Sequence, residues 1–421
     1  MSAETFKDKH RLAKSAFTRV RSLPFELVLV MILRKSVKSL QNVVNEAMLW
    51  LDTDTVSASA FCQARYKLRH TAFIELNQQA IVEPMYADDD YQKLWGFRVL
   101  AVDGSTVMLP NNKETREVFG TIKYTNGKNK QPLGEHCYGR ASVLYDVLNR
   151  IAVDATLVPI KAYEVDLAIA HLQHTTDSDL LLMDRNYPSY RMMAELSQRQ
   201  RGFVIRCSTN SFKTARQLAK GTGLASQVVT LTPPDGQWAE IRKLGLPERL
   251  TVRFVRVMLK TGEAEILVTS LLDEHTYPTA DFAELYRLRW GIETFYGLLK
   301  TRLALENFSG HGVEAIKQDF YATIYLTGIE SVLTDAAQAQ LDDRNTRHPQ
   351  TVNRAVSFNA IKNKALDLLY SNLDSDVLLA QLTTLFLKNP TSSRSERNPP
   401  RKKSSPRALL SFHKRMKKQC F

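Results

Sequence analysis

The sequence predicts an α/β protein. A mixed-sheet core is interrupted by a β-rich insertion, preceded by a helical N-terminal domain and followed by a helical C-terminal region. Three observations carry this. Two apolar runs, 97–102 and 180–183, read as buried strands, and each runs directly into an aspartate, Asp103 and Asp184. Between them, β-rich runs at 140–147 and 151–158 flank a Leu148-Asn149-Arg150 turn and read as a hairpin. Further on, the Pro-free stretch 286–300 reads as a helix with one polar row along it.

In chain order, residues 1–22 are polar and basic, with Lys7, Lys9, Arg11, Lys14, Arg19 and Arg21. A helical apolar pattern covers 24–51, and Asp52-Thr53-Asp54-Thr55 breaks it. Ser57 or Ser59 can cap the next helix, whose polar side carries Gln63, Arg65, Lys67 and Arg69. Residues 1–90 therefore read as a helical DNA-binding domain, with a helix-turn-helix as one arrangement. The competing reading is a helical packing domain with incidental charge. The Asp88-Asp89-Asp90 run reads as an exposed linker.

Residues 91–207 form the first part of the core: strand, hairpin, a helix at 164–172, strand, a helix at 189–200, and a strand at 203–207. From 208 to 265 the character changes. Turn signals at Pro233-Pro234-Asp235-Gly236, Gly245 and Thr261-Gly262 separate strand-like runs. These runs carry Arg242, Lys243, Arg249, Arg253, Arg256 and Lys260, which makes the insertion a second expected DNA contact. Residues 266–388 hold the rest of the core and the C-terminal helices. Residues 389–421, rich in Ser, Pro, Lys and Arg, read as a flexible basic tail, either a nonspecific grip on DNA or a solubilising segment.

A net charge of +13 over 421 residues points to a polyanionic partner, most simply nucleic acid. The four cysteines are scattered without a C-x-x-C pair, which fits a reducing cytoplasm and argues against a zinc-finger or disulfide framework. The apolar run at 27–33 is too short to span a membrane, and no signal peptide precedes it. No G-x-x-x-x-G-K-[ST] loop is present, so no nucleotide cofactor is expected, and no G-x-S-x-G marks a serine hydrolase. His171 and His174 read as a surface pair. Asp154, in an I-A-V-D-A context like that of Asp103, is a competing carboxylate of supporting rank.

On a helical wheel at about 100° per residue, Tyr286, Arg289, Glu293 and Lys300 fall in one stripe about 60° wide. A carboxylate flanked by cations suits a metal ion beside a phosphate backbone; the alternative is a solvated, ion-paired face. Phosphodiester chemistry can run on three carboxylates and two divalent ions about 3.5–4 Å apart.

The spacing of Tyr286, Arg289, Glu293 and Lys300 resembles the Y-R-E-K signature of bacterial DDE transposases of the insertion-sequence-4 family. The L-A-V-D-G-S run at 100–105 and the L-L-M-D-R-N-Y run at 181–187 resemble that family's first and second Asp motifs. Arg185-Asn186-Tyr187 departs from the small residue or Gly that often follows the second Asp. The resemblance implies an RNase H-like catalytic core. It makes Asp103, Asp184 and Glu293 both the catalytic residues and the ligands of two Mg²⁺ or Mn²⁺ ions. It gives Arg289 and Lys300 phosphates to grip, and sets Tyr286 to hydrogen-bond or stack beside them. The implied partners are double-stranded DNA, as terminal inverted repeats and target, and a second protomer on that DNA. The implied steps are nicking, hairpin formation, hairpin opening and strand transfer. Two other readings stand beside it: an RNase H-like nuclease without strand transfer, and a DNA-binding regulator without catalysis.

Overall fold

The computed structural model describes residues 4–18, 22–125, 132–209, 211–221, 224–259, 262–371 and 373–392. Lys260 and all but the first residues of the expected basic tail lie outside that set. The chain divides into two compact units, each assembled from separated segments. One is built on a sheet (85–108 and 119–297); the other is helical (1–84, 109–118 and 298–421).

The sheet unit contains β1 (Arg98–Met108), β2 (Thr121–Thr125), β3 (Pro132–Asp146), β4 (Ile151–Pro159), β5 (Asp179–Met183), β6 (Gly202–Cys207), β7 (Ser226–Leu231), β8 (Leu250–Met258) and β9 (Ala264–Thr269). Spatially the strands run β4–β3–β1–β5–β6–β9–β8–β7, with β2 also paired to β3. β4, β3 and β1 are antiparallel, whereas β1, β5 and β6 are parallel. This is the expected RNase H-like arrangement. Every residue of β5 is buried, so the run at 180–183 is continuously apolar rather than alternating. Helices Glu164–His171 and Tyr190–Gln198 supply the crossovers that parallel strands require. Ser189 caps the second, its Oγ accepting from the Met192 N–H at 3.2 Å.

The predicted β-rich insertion does not form a body of its own. β9 pairs antiparallel with β6, β8 with β9, and β7 with β8, so the core sheet simply continues. The physical reason lies in β6, which would otherwise present an unpaired edge. Arg253, expected to contact DNA, is fully buried. Its guanidinium donates to Ser226 Oγ, the Tyr277 carbonyl and Thr279 Oγ1 at 2.7–2.8 Å.

At the start of the central ladder, Arg98 and Asp179 are register partners. They form a buried bidentate pair, Nε to Oδ1 and Nη2 to Oδ2, both 2.7 Å. The Tyr86 ring lies over the guanidinium at 4.3 Å.

In the helical unit, Phe25–Leu33 buries all but one of its residues, which explains its uniform apolarity. Ser57 is the cap of Ala58–Arg65, accepting from the Ala60 N–H at 3.1 Å. The 30-residue helix Val313–Asp342 packs along Thr71–Asn77. Gly328 permits close approach to the turn that follows, Gln78–Val82, since a Cβ at this position would meet Ile81 Cγ2 at 2.8 Å. The helices after residue 297 thus group with the N-terminal helices and not with the sheet.

Candidate active site

The site grows out of one register. Val102 and Met183 are the last partners of the parallel β1–β5 ladder, so Asp103 and Asp184 emerge next to each other from its C-terminal end. Ligand sites in open α/β sheets collect at such strand ends. The sequence placed Asp103 at the end of its strand. Instead β1 continues to Met108, paired only with β3 there, and Asp103 sits where β5 has stopped.

Both aspartates are held by local backbone donors. Asp103 Oδ1 accepts from the Gly104 N–H and Asp184 Oδ1 from the Asn186 N–H, each at 2.8 Å. Tyr296 Oη donates to the Asp103 carbonyl at 2.9 Å. Burial pushes the Asp103 carboxyl up to about 7. The charges of Asp184 and Glu293 add to the rise, while the Gly104 N–H and Arg289 oppose it.

Glu293 is brought in by a helix that is not the continuous one expected. Phe282–Arg287 ends, Trp290–Gly297 begins, and a π-helical turn, Leu298–Arg302, follows. At the break the bonds tighten to i→i+3, from the Arg289 N–H to the Tyr286 carbonyl and from the Gly291 N–H to the Leu288 carbonyl. The phase of an ideal wheel is therefore lost between Tyr286 and Lys300. Gly291 packs against the hairpin, where a Cβ would lie 3.3 Å from Val147 Cγ1.

Arg289 is buried, and its Nη2 donates to Glu293 Oε1 at 2.8 Å. Its Nε is buried without a partner. Tyr286 is also buried, with its Oη donating to the Met183 carbonyl at 3.3 Å. As the molecule stands, Tyr286 supports the strand that carries Asp184 and does not present its phenol to a ligand.

The remaining expected contacts belong to the helical unit. Lys300 lies on the π-helical turn, where burial lowers its ammonium and Glu306 opposes the shift. Arg65 corrects the sequence reading. It is 3% exposed and donates to Gln318 Oε1, Ser309 Oγ, the Ala315 carbonyl and Asp319 Oδ1 at 2.6–2.7 Å. With its donors spent internally, it offers nothing to a phosphate. Lys67 and Arg69, on the turn that follows, are exposed as expected.

Sequence reasoning gave Glu164 no role beyond opening a helix, gave Tyr187 no role of its own, and misplaced His171. Glu164, paired with Arg140, sits against Gly104, where a Cβ would meet Glu164 Oε1 at 3.0 Å. Tyr187 is fully buried, and the charges of Asp103, Glu164 and Asp184 all bear on its phenol. Only the L-L-M-D-R-N-Y run hinted at it. His171 is no surface residue: it is buried, bonded to Ser142 Oγ at 2.9 Å and Asp154 Oδ2 at 2.7 Å. That pairing accounts for Asp154.

Residues 94–326, over half of the chain, match the family model described as the transposase DDE domain. The chain belongs to the DDE transposase family. It is similar to the transposase InsG for insertion sequence element IS4 of Escherichia coli strain K12, at 25% identity over 290 residues. That alignment covers 67% of this chain and 63% of InsG, and it agrees with the insertion-sequence-4 resemblance. The chain thus spans less than two thirds of that relative's length. A more distant overall likeness, with a TM-score of 0.43 and 10% identity, joins it to a piggyBac transposase synaptic complex with hairpin DNA. It covers 97% of this chain and 84% of that one.

DDE transposases depend generally on divalent metal. The donor set here fits a hard cation: oxygen ligands only, with like charges crowding a half-buried Asp103. Among the described residues, no three His, Cys, Asp or Glu side chains are gathered closely enough to hold one ion together. Glu293 is engaged by Arg289. No helix among the described residues is long and apolar enough to cross a membrane.

Proposed function

We propose that this chain catalyses cut-and-paste transposition of an insertion sequence, hydrolysing phosphodiesters at terminal inverted repeats and joining the freed 3′ ends to target DNA. The observation that supports this best is the Val102–Met183 register, which sets Asp103 and Asp184 side by side with Glu293 acting on the same charge. Asp103, Asp184 and Glu293 would hold two Mg²⁺ or Mn²⁺ ions. When bound, these ions supply an activated water and charge stabilisation at the phosphorus.

The other side chains have separate tasks. Tyr286 holds the β5 end through the Met183 carbonyl, and Tyr296 holds Asp103 from behind. Arg289 keeps Glu293 until a phosphate offers its guanidinium a competing bidentate partner. Lys300, Lys67 and Arg69 add phosphate contacts as point charges or forks. In hydrolysis the water oxygen joins phosphorus and the 3′ oxygen departs with a proton. In strand transfer that same 3′ hydroxyl oxygen attacks a target-strand phosphorus and loses its proton, and the target's own 3′ oxygen departs with a proton. Two protomers would act together on the paired ends of the element.

The deciding experiment is Mg²⁺-dependent cleavage of a labelled duplex carrying the terminal repeat, comparing wild type with Asp184→Ala. The proposal expects cleavage and joined products from wild type alone. Cleavage by both proteins would remove Asp184 from the site. Cleavage without joined products would reduce the activity to that of a nuclease.

A further inference from the structure

Several cations of the extended sheet are used internally: Arg253 is buried, Arg242 pairs with Glu248, and Arg206 pairs with Glu265. One cluster is not. Residues 208–234 contain three cations, Lys213, Arg216 and Lys220, and no Asp or Glu. All three are exposed, and among the described residues none forms an ion pair. They recur at i, i+3 and i+7 along the helix Lys213–Ala219 and its capping residue Lys220, so they share one face about 60° wide. Ala215 and Leu218, on the other side, are buried. The Phe212 ring packs edge-on against Phe254 of β8 at 5.4 Å. The helix is therefore pinned to the sheet with its basic face outward.

The sheet register gives that face its place. β5 and β6 are parallel, and their last partners are Met183 and Ile205. Asp184 is thus level with Arg206, one strand spacing of about 4.8 Å away. The chain leaves β6 at Cys207 and enters the helix at Lys213. The far end returns to the same level: a Cβ on Gly221 would meet Arg256 Nη1 at 2.8 Å, and Arg256 is level with Cys207 through Ile266. The helix therefore begins and ends near the strand edge that carries Asp103 and Asp184. From Lys213 to Lys220 the helical rise is about 10.5 Å. Along one strand of a duplex a phosphate recurs about every 3.4 Å. We infer that Lys213, Arg216 and Lys220 form a DNA-backbone site that grips about three successive phosphates next to the cleavage position. This rests on the reading of Asp103 and Asp184 as the cleavage site.

The test uses the full chain and a duplex carrying the terminal repeat. One variant combines Lys213→Gln, Arg216→Gln and Lys220→Gln; a second keeps the charges, with Lys213→Arg, Arg216→Lys and Lys220→Arg. Salt-dependent anisotropy gives the slope of log affinity against log salt, ethylation interference maps the phosphates contacted, and melting temperature reports folding. The Gln variant should melt like wild type, with a slope shallower by about 2.7, because each lost phosphate contact removes about 0.9. Its missing contacts should be consecutive and adjoin the cut, and the charge-keeping variant should retain the wild-type slope. An unchanged slope in the Gln variant would overturn the site. Missing contacts remote from the cut would overturn its placement. A shallower slope in the charge-keeping variant, with lowered melting temperatures, would make the face structural. Uncut DNA from wild type, with the slope change present, would sink the cleavage reading while supporting the phosphate face.

Discussion

Arg98 and Asp179 clamp the first register pair of the β1–β5 ladder through two 2.7 Å hydrogen bonds, and the last pair of that ladder delivers Asp103 and Asp184. The clamp and the carboxylates lie at opposite ends of the same two strands. Arg98→Ala leaves Asp179 buried and uncompensated, so it should cost about 3–5 kcal/mol in urea unfolding. Cleavage by the remaining folded protein should fall as well, since a loosened ladder no longer fixes the aspartates. Full stability in Arg98→Ala would show that the strands hold their register without the pair.

Asp103→Asn should abolish cleavage yet stabilise the metal-free protein. The folded carboxyl titrates near 7, whereas an unfolded Asp titrates near 3.9. Between those values the folded state keeps a proton that the unfolded state has lost. Stability of the wild type therefore falls as pH rises from about 4 to about 7. The Asn variant lacks that fall. Its melting temperature should exceed wild type by on the order of 5 °C at pH 8 and match it near pH 4. Coincident melting curves at pH 8 would remove burial strain from Asp103.

Arg289 carries two expectations that pull apart. As a phosphate contact, its loss in Arg289→Ala should weaken DNA binding and make the log-affinity against log-salt slope shallower by about 1. As a partner of Glu293, its loss should remove one hold on that carboxylate in the absence of DNA. Salt-dependent fluorescence anisotropy reads the first directly. An unchanged slope would mean that Arg289 serves Glu293 alone.

Three basic residues within five positions should behave in opposite ways. Arg65→Ala breaks a buried pair with Asp319 and should destabilise the protein by about 3–5 kcal/mol. Lys67→Ala and Arg69→Ala, both exposed, should change stability by less than about 0.5 kcal/mol while lowering DNA affinity at low salt. Thermal unfolding beside anisotropy separates the two classes. A stable Arg65→Ala with weakened DNA binding would reverse the assignment of Arg65.

The sequence by itself determined the parts whose cause is local. Continuous apolar runs set the β1–β5 ladder and put an aspartate after its last pair, because strands buried on both faces read as near-continuous apolar runs. Ser57 could be read as a cap, because its hydroxyl serves an N–H only three residues on. Tertiary structure decided what depends on distant partners. Asp319, 254 positions from Arg65, turned a presumed DNA contact into an internal strut. The strand β6 drew the insertion into the core sheet, since an open edge is satisfied only by another strand. The hairpin at Val147 sits against Gly291, and the helix there breaks, so the polar row is not the ideal stripe of a wheel. The full burial of Tyr187 was likewise decided by the tertiary structure, because the sequence run gives the residue type after Asp184 and not what packs around it.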